Sequence, residues 1–291
     1  MEDWEKAGKI ASEALLFGKS LVKPGAMLSD VSEKIEKKIE ELKGKPAFPV
    51  TISINEVAAH ALARKDDIFN KGDLVKLDVG AHVNGCIADN ALTIDLGSNA
   101  KLVEASEKAL EEAIKKVKIG VKVRELGKAI EQTIKSYGFN PVKNLSGHQI
   151  EKFQEHAKHG VSIPNYDNED ESTIEKGMII AIEPFATEGP GIVEEGKDSG
   201  IYEIVNFKNV RSDISREILG YILDNYQTLP FSKDWLLKDF PEFKVNFAVR
   251  MLEKDGIIYH HKQLVEKGKA KVSQAEHTLL VDDEIKVLTK R

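Results

Sequence analysis

Five residues far apart in the chain, Asp78, Asp89, His148, Glu183 and Glu276, have the types and settings of ligands to a divalent cation. The first two sit in Lys71–Ile94, KGDLVKLDVGAHVNGCIADNALTI. From Leu74 to Val83 apolar residues alternate with Lys76, Asp78, Gly80 and His82, the period of a strand packed on one side. Asn84-Gly85 tolerates the positive φ of a two-residue hairpin turn, and a second strand follows from Cys86 to Ile94. In that register Asp78 faces Ala91, and Asp89 lies diagonal to Asp78 on the same face, about 7–8 Å away between Cα atoms. Two carboxylates so placed can reach one ion or two adjacent ions; left buried and unpaired they would repel. A hairpin bearing two surface acids is the plainer alternative.

The other three have comparable settings. Gly147 beside His148 permits close backbone approach, Glu183 ends the apolar run Met178–Ile182 ahead of a proline, and Glu276 leads into the apolar run Thr278–Val281. An acid ending such a run needs a partner if it is buried. Four carboxylates and an imidazole on one concave face form a hard site suited to Mn²⁺, Fe²⁺, Co²⁺ or Zn²⁺. Taken singly, His148 also fits a packed core histidine and Glu276 a rim acid, and no short motif binds the five together.

The elements that must position them form two similar halves. Helices are expected over 2–22 and from Ser29 or Asp30 to before Gly44, a strand over Phe48–Ile54, then the hairpin. Helices over Lys101–Val117 and Val123–Ile134 begin the pattern again. Shifted by 95 positions, Lys23, Gly25, Ile35, Glu36 and Ile39 meet Lys118, Gly120, Ile130, Glu131 and Ile134. With ten more residues inserted, Lys71-Gly72 before Asp78 meets Lys176-Gly177 before Glu183. This points to an α+β fold built by duplication, two helices then an antiparallel hairpin, twice. The helices cover one side of a curved sheet and related acids meet across its middle. A dinucleotide glycine pattern is absent, which argues against a doubly wound parallel sheet.

Residues 208–262 change character. Ser212/Asp213 caps one expected helix, and others follow at Trp235–Leu237 and Phe243–Leu252, so an inserted helical subdomain is expected there, with 1–207 and 263–291 forming the main domain. Nine Lys/Arg against eight Asp/Glu leave this segment without a basic face, which argues against nucleic-acid binding. The whole chain carries a formal charge of -6, with 41% hydrophobic and 31% charged residues, as in an ordinary soluble protein. No apolar run is long enough to span a membrane, MEDWEKAGKI lacks a signal segment, and Cys86 is the only cysteine. A cytoplasmic location is therefore expected.

The segments KPAFPVTISINEVAAH, GDLVKLDVGAHVNGCIADNALT, NLSGHQIEKFQEHAKHGVSIPN, KGMIIAIEPFAT and QAEHTLLV resemble type II methionine aminopeptidase, particularly its short archaeal form. The resemblance runs through essentially the whole chain and implies the "pita-bread" metallopeptidase fold. It places the family's five metal ligands on Asp78, Asp89, His148, Glu183 and Glu276, with Asp89 and Glu276 bridging two ions. It adds His60, near the substrate amide, and His156, the second histidine of its motif, as catalytic and substrate-binding residues, with Glu183 as general base. It further implies removal of the initiator methionine from nascent chains by a monomer, with ribosome association, and neither nucleic acid nor membrane as partner. Phe48, Pro49, Ile54, Phe185 and Ile163 are candidates to line the methionine slot. His82 is expected to support the sheet. One departure stands out: His261-Lys262 occupies the place where close archaeal relatives carry Tyr-Pro, whose tyrosine lines the substrate side. X-Pro peptidases of the same fold, and members that bind protein or RNA without catalysis, are the competing readings. The former carry an extra amino-terminal domain for which this chain leaves no room.

Overall fold

The computed structural model describes residues 1–291. Helix α1 (Glu2–Leu21) buries Ala7, Ala11, Ala14 and Leu15 and crosses α2 (Leu28–Glu41) closely. A Cβ on Gly18 would fall 2.4 Å from Ile35 Cδ1, so any larger residue there would have to displace the Ile35 side chain at the crossing. Helix α2 begins at Leu28, just before Ser29 or Asp30, the residues expected to start it. Met27 is the cap residue and makes no side-chain cap bond; a backbone bridge to Ile68 and the Leu28 N–H to Asp67 O bond hold the helix entry instead.

Behind these helices lies an antiparallel sheet of β1 (Thr51–Ile54), β2 (Leu74–Val83) and β3 (Cys86–Asp95). Val83 pairs with Cys86 and Asp78 with Ala91, the register expected from the Asn84-Gly85 turn; both turn residues have positive φ, 51° and 84°. Val75, Leu77, Val79 and Ala81 pack with α1 and α2 in one core. The polar face is covered as well. Lys76 is fully buried, its Nζ donating to Asn55 O at 2.7 Å, and His82 accepts the Gly85 N–H on Nδ1 at 3.2 Å, steadying the turn as expected.

The second half repeats the helix pair as α3 (Ala100–Lys116) and α4 (Val123–Ser136), packed over a second core. Its strands β4 (Ser146–Ile150) and β5 (Ile179–Ile182) are neighbours in one sheet, and β6 (Phe185–Thr187) belongs to a short three-stranded sheet that follows it. Here the expected local hairpin is absent. The antiparallel partners are β9 (Val272–Gln274) and β10 (His277–Leu280), supplied from far along the chain. The reason is local: Phe185–Thr187 runs on toward β7 (Val193–Ile204) with no tight turn of the Asn-Gly kind.

Strand β7 pairs with β8 (Ile258–Glu266), and between them lie α5 (Asp213–Asn225), α6 (Lys233–Leu237) and α7 (Glu242–Lys254) around a separate core. Ser212 caps α5, its side chain accepting the Ser215 N–H. Residues 258–262, counted above with the helical segment, are strand and pair with β7. Trp235 Nε1 donates to both Glu36 oxygens (3.1 and 3.0 Å), fastening these helices to α2. No helix is long and apolar enough to cross a membrane.

The two sheets meet where β3 passes β9 and β10. Thr93 Oγ1 donates to Gln274 O (2.7 Å) and accepts from Gln274 N (2.8 Å). Thr278 does the same with Asp89 O (2.7 Å) and Asp89 N (2.8 Å). With the Glu276 N–H to Ala91 O bond between them, these hydroxyls stand in for ladder bonds. The pita-bread architecture, two related halves curved around one cavity, follows from this seam.

Candidate metal centre and active site

Each donor side chain reaches the cavity for an identifiable backbone reason. Asp78 and Asp89 project from β2 and β3 diagonally, with Gly80 opposite Asp89. A Cβ on Gly80 would lie 2.2 Å from the Phe48 ring, so glycine lets that ring form a wall beside the acids. At Gly147 a Cβ would meet Ala181 O at 2.2 Å; glycine therefore lets β4 approach β5 and brings His148 in. Glu183 leaves the sheet between β5 and β6, where Pro184 has no N–H to continue the ladder. Glu276 stands between β9 and β10, on the seam itself.

The ligand atoms of Asp89, His148 and Glu276 all lie within 4.8 Å of one another. His148 Nε2 is 3.7 Å from Asp89 Oδ2 and 3.6 Å from Glu183 Oε1. Asp78 joins from the far side, sharing the weak donor Gln274 Nε2 with Glu276 at 3.5 Å each. Burial lifts the Asp78 carboxyl to about 6. Burial and then the neighbouring negative charges raise Asp89, Glu183 and Glu276 well above the ordinary range. Burial lowers His148 to about 4, so its imidazole is neutral and able to ligate. Four buried atoms here, Asp78 Oδ1, Asp89 Oδ1, His148 Nδ1 and Glu276 Oε1, have no hydrogen-bond partner. Buried polar atoms are rarely left so, and a cluster of hard donors crowded against its own charge fits a divalent metal.

Comparison with known proteins agrees. Residues 2–232 match the model of metallopeptidase family M24. The chain is 46% identical over 280 residues to a methionine aminopeptidase of Archaeoglobus fulgidus, covering 96% of this chain and 94% of that protein. It is 45% identical over 290 residues to one from Pyrococcus horikoshii, covering 98% of both. A crystal structure of methionine aminopeptidase from Thermotoga maritima superposes with TM-score 0.73 at 25% identity, over 100% of this chain and 96% of that one. The chain belongs to metallopeptidase family M24. With these relatives and its buried cluster of metal-ligating side chains, it is a metal-dependent aminopeptidase.

Around this ligand cluster stand the two histidines that the resemblance added. His156, on the exposed side of the site, packs its ring 4.1 Å from that of His148, and desolvation by the protein around it and then His148 lower its pKa. His60 adopts a left-handed φ of 61°. Its Nδ1 lies 3.2 Å from Lys262 O; a carbonyl only accepts, so Nδ1 carries the proton and Nε2 is left with a lone pair. Burial first, then His261 and His156, bring His60 to about 4.

The cavity enclosing the cluster is small, about 60 Å³, and the candidate slot residues divide sharply. Phe48 lines it. Ile54 and Ile163 instead pack in the two helix-side cores, and Phe185 packs behind the sheet with Val142 and Val193. Pro49 lines an outer groove with Trp235. The mistake has a physical source, since apolar type alone does not say which sheet face a residue serves. The walls not foreseen are Thr51, Ala59, Glu155, Ile201 and Pro230, and His261, standing where relatives carry the tyrosine, joins them. Glu155 lies in an irregular loop and Pro230 in the segment between β7 and β8, where no periodicity marks them, while Ile201 and His261 sit on β7 and β8 themselves. A wider groove of about 410 Å³ between α2 and the inserted helices touches none of the five ligands.

Proposed function

We propose that this aminopeptidase removes the initiator methionine from nascent chains. The observation that carries the reading is that five sequence-distant donors line one cavity, Asp89, His148 and Glu276 with ligand atoms within 4.8 Å of one another, and that four buried atoms of the set are unpartnered. Asp78, Asp89, His148, Glu183 and Glu276 would hold two divalent ions, of Co²⁺, Mn²⁺, Fe²⁺ or Zn²⁺, with Asp89 and Glu276 shared. When bound, such ions polarise a carbonyl and acidify water.

The chain's own residues supply the rest. Glu183, beside His148, takes the proton of the attacking water and returns it to the departing amine. The neutral His60 accepts the N–H of the scissile amide on Nε2 and so fixes the peptide's direction. His156, next to His148, donates toward the carbonyl oxygen as it gains charge. The acids at the closed end take the free α-amino group, so cleavage stops after one residue. The same reading takes residues 208–262 as an insertion in the catalytic unit, and makes the protein a cytoplasmic monomer working close to the ribosome.

A peptide panel tests it. Purified protein supplied with Co²⁺ or Mn²⁺ should release methionine from Met-Ala-Ser and leave Ala-Pro dipeptides intact. Cleavage restricted to Xaa-Pro bonds would replace this reading with the X-Pro one, and metal binding without cleavage of any peptide would favour a non-catalytic member of the fold.

A further inference from the structure

One acid in the cavity has no task in this mechanism. Glu155 lies in the loop after β4, half-buried, and lines the cavity beside His156. The loop is fixed by Phe153 N–H to Gly85 O (2.9 Å), Ala157 N–H to Gln149 O (2.9 Å) and the Thr228 hydroxyl on Phe153 O. Glu155 is therefore held in place, yet its carboxyl has no hydrogen-bond partner, and its strongest charged neighbour is Glu203. Glu203, on β7, contacts the ring of His261 on β8, with Nε2 to Oε2 at 3.2 Å. His261 in turn sets its edge against His60, ring centroids 5.5 Å apart.

The chemistry of this wall differs from that of an apolar slot. If divalent ions match the four ligand acids, Glu155 and Glu203 remain, with one imidazole between them and the ring of His60. A thioether offers these oxygens no donor, whereas an ammonium or carboxamide does. Phe48, Ile201 and Pro230 provide apolar contact for the stem of a side chain. His156 is exposed and Glu155 only half-buried, so this end of the cavity is open to a longer side chain.

We propose that Glu155, which lines the cavity together with His261, is a specificity-determining residue that admits N-terminal residues ending in a hydrogen-bond donor or a cation, lysine above all, beside methionine. This rests on the aminopeptidase reading of the same cavity. A site built around polar groups discriminates by the partner they gain or lose, more strongly than a purely apolar one.

The test compares Xaa-Ala-Ser peptides, with Xaa as Met, Leu, Gln or Lys, on the Mn²⁺-supplied wild type, Glu155→Leu and Glu155→Gln. The wild type should release lysine with kcat/KM within about tenfold of methionine, and Glu155→Leu should lower the Lys/Met ratio by about tenfold or more. Should Glu155→Leu fail to fold or lose its metal, Glu155→Gln decides, since it keeps the shape and removes the charge; its Lys/Gln ratio should fall about fivefold or more. Release of methionine but not of lysine or glutamine by the wild type overturns the proposal. So do ratios unmoved in the variants, and so does an equal loss on every peptide, which would assign Glu155 to the shared α-ammonium. Failure of the wild type on all four peptides would instead overturn the aminopeptidase reading.

Discussion

Glu183 occupies a demanding position: it ends an apolar strand, touches His148, and is asked both to hold an ion and to move a proton. Replacing it with glutamine keeps the shape and removes the basicity. Glu183→Gln should retain the wild-type circular dichroism spectrum while turnover falls about 10²-fold or more; turnover near wild type would show that the base lies elsewhere. At this scale the sequence spoke clearly where a polar residue interrupts an apolar pattern. Glu183 and Glu276 do so, Asp78 and Asp89 were marked by their diagonal placement across the hairpin, and Gly147 marked His148 through the close approach it permits. It was silent on Glu155, which lies in a charged irregular loop with no period to violate, and His156 stood out only through the family resemblance.

Among the elements, the seam between β3 and β9–β10 matters most, because Asp89 and Glu276 sit on opposite sides of it. Thr278 satisfies both backbone groups of Asp89 with a single hydroxyl. Thr278→Val keeps the volume and leaves that buried N–H and C=O without partners. It should lower unfolding free energy by about 1–3 kcal/mol in denaturant titrations and weaken metal binding, while Thr278→Ser should restore both. Equal stability of the valine variant would mean that the seam is held by other contacts. The first hairpin was legible because Asn84-Gly85 fixes its register locally. The second was not, because its two strands are separated by β7, β8 and the inserted helices, and no local turn chemistry records a pairing across that distance. The helix pairs were legible from their periodicity, and their offset repetition carried the duplication.

For the molecule as a whole, crowding acids into a buried cup couples stability to pH and to metal. Without metal, Asp78 has its carboxyl raised to about 6, and Asp89, Glu183 and Glu276 are raised further. A carboxyl with a raised folded pKa contributes stability below its unfolded value, near 4, and loses it as pH rises through the folded value. The buried histidines act oppositely. His82 is held near 4 by burial, so it destabilises the fold as pH falls from about 6.5 toward 4. Metal binding needs the carboxylates deprotonated and offsets their repulsion, so its benefit grows with pH. Differential scanning fluorimetry should therefore show a larger rise in Tm on adding Mn²⁺ at about pH 7.5 than at about pH 5. An equal rise at both would place the ion away from these acids.

The measurement closest to the centre of this account is methionine release from Met-Ala-Ser by chelator-stripped protein as Mn²⁺ is added back. Release should be absent without metal, rise to saturation with it, and vanish when the peptide's α-amine is acetylated. Release that persists in the stripped protein, or that never appears at any metal concentration, would contradict it.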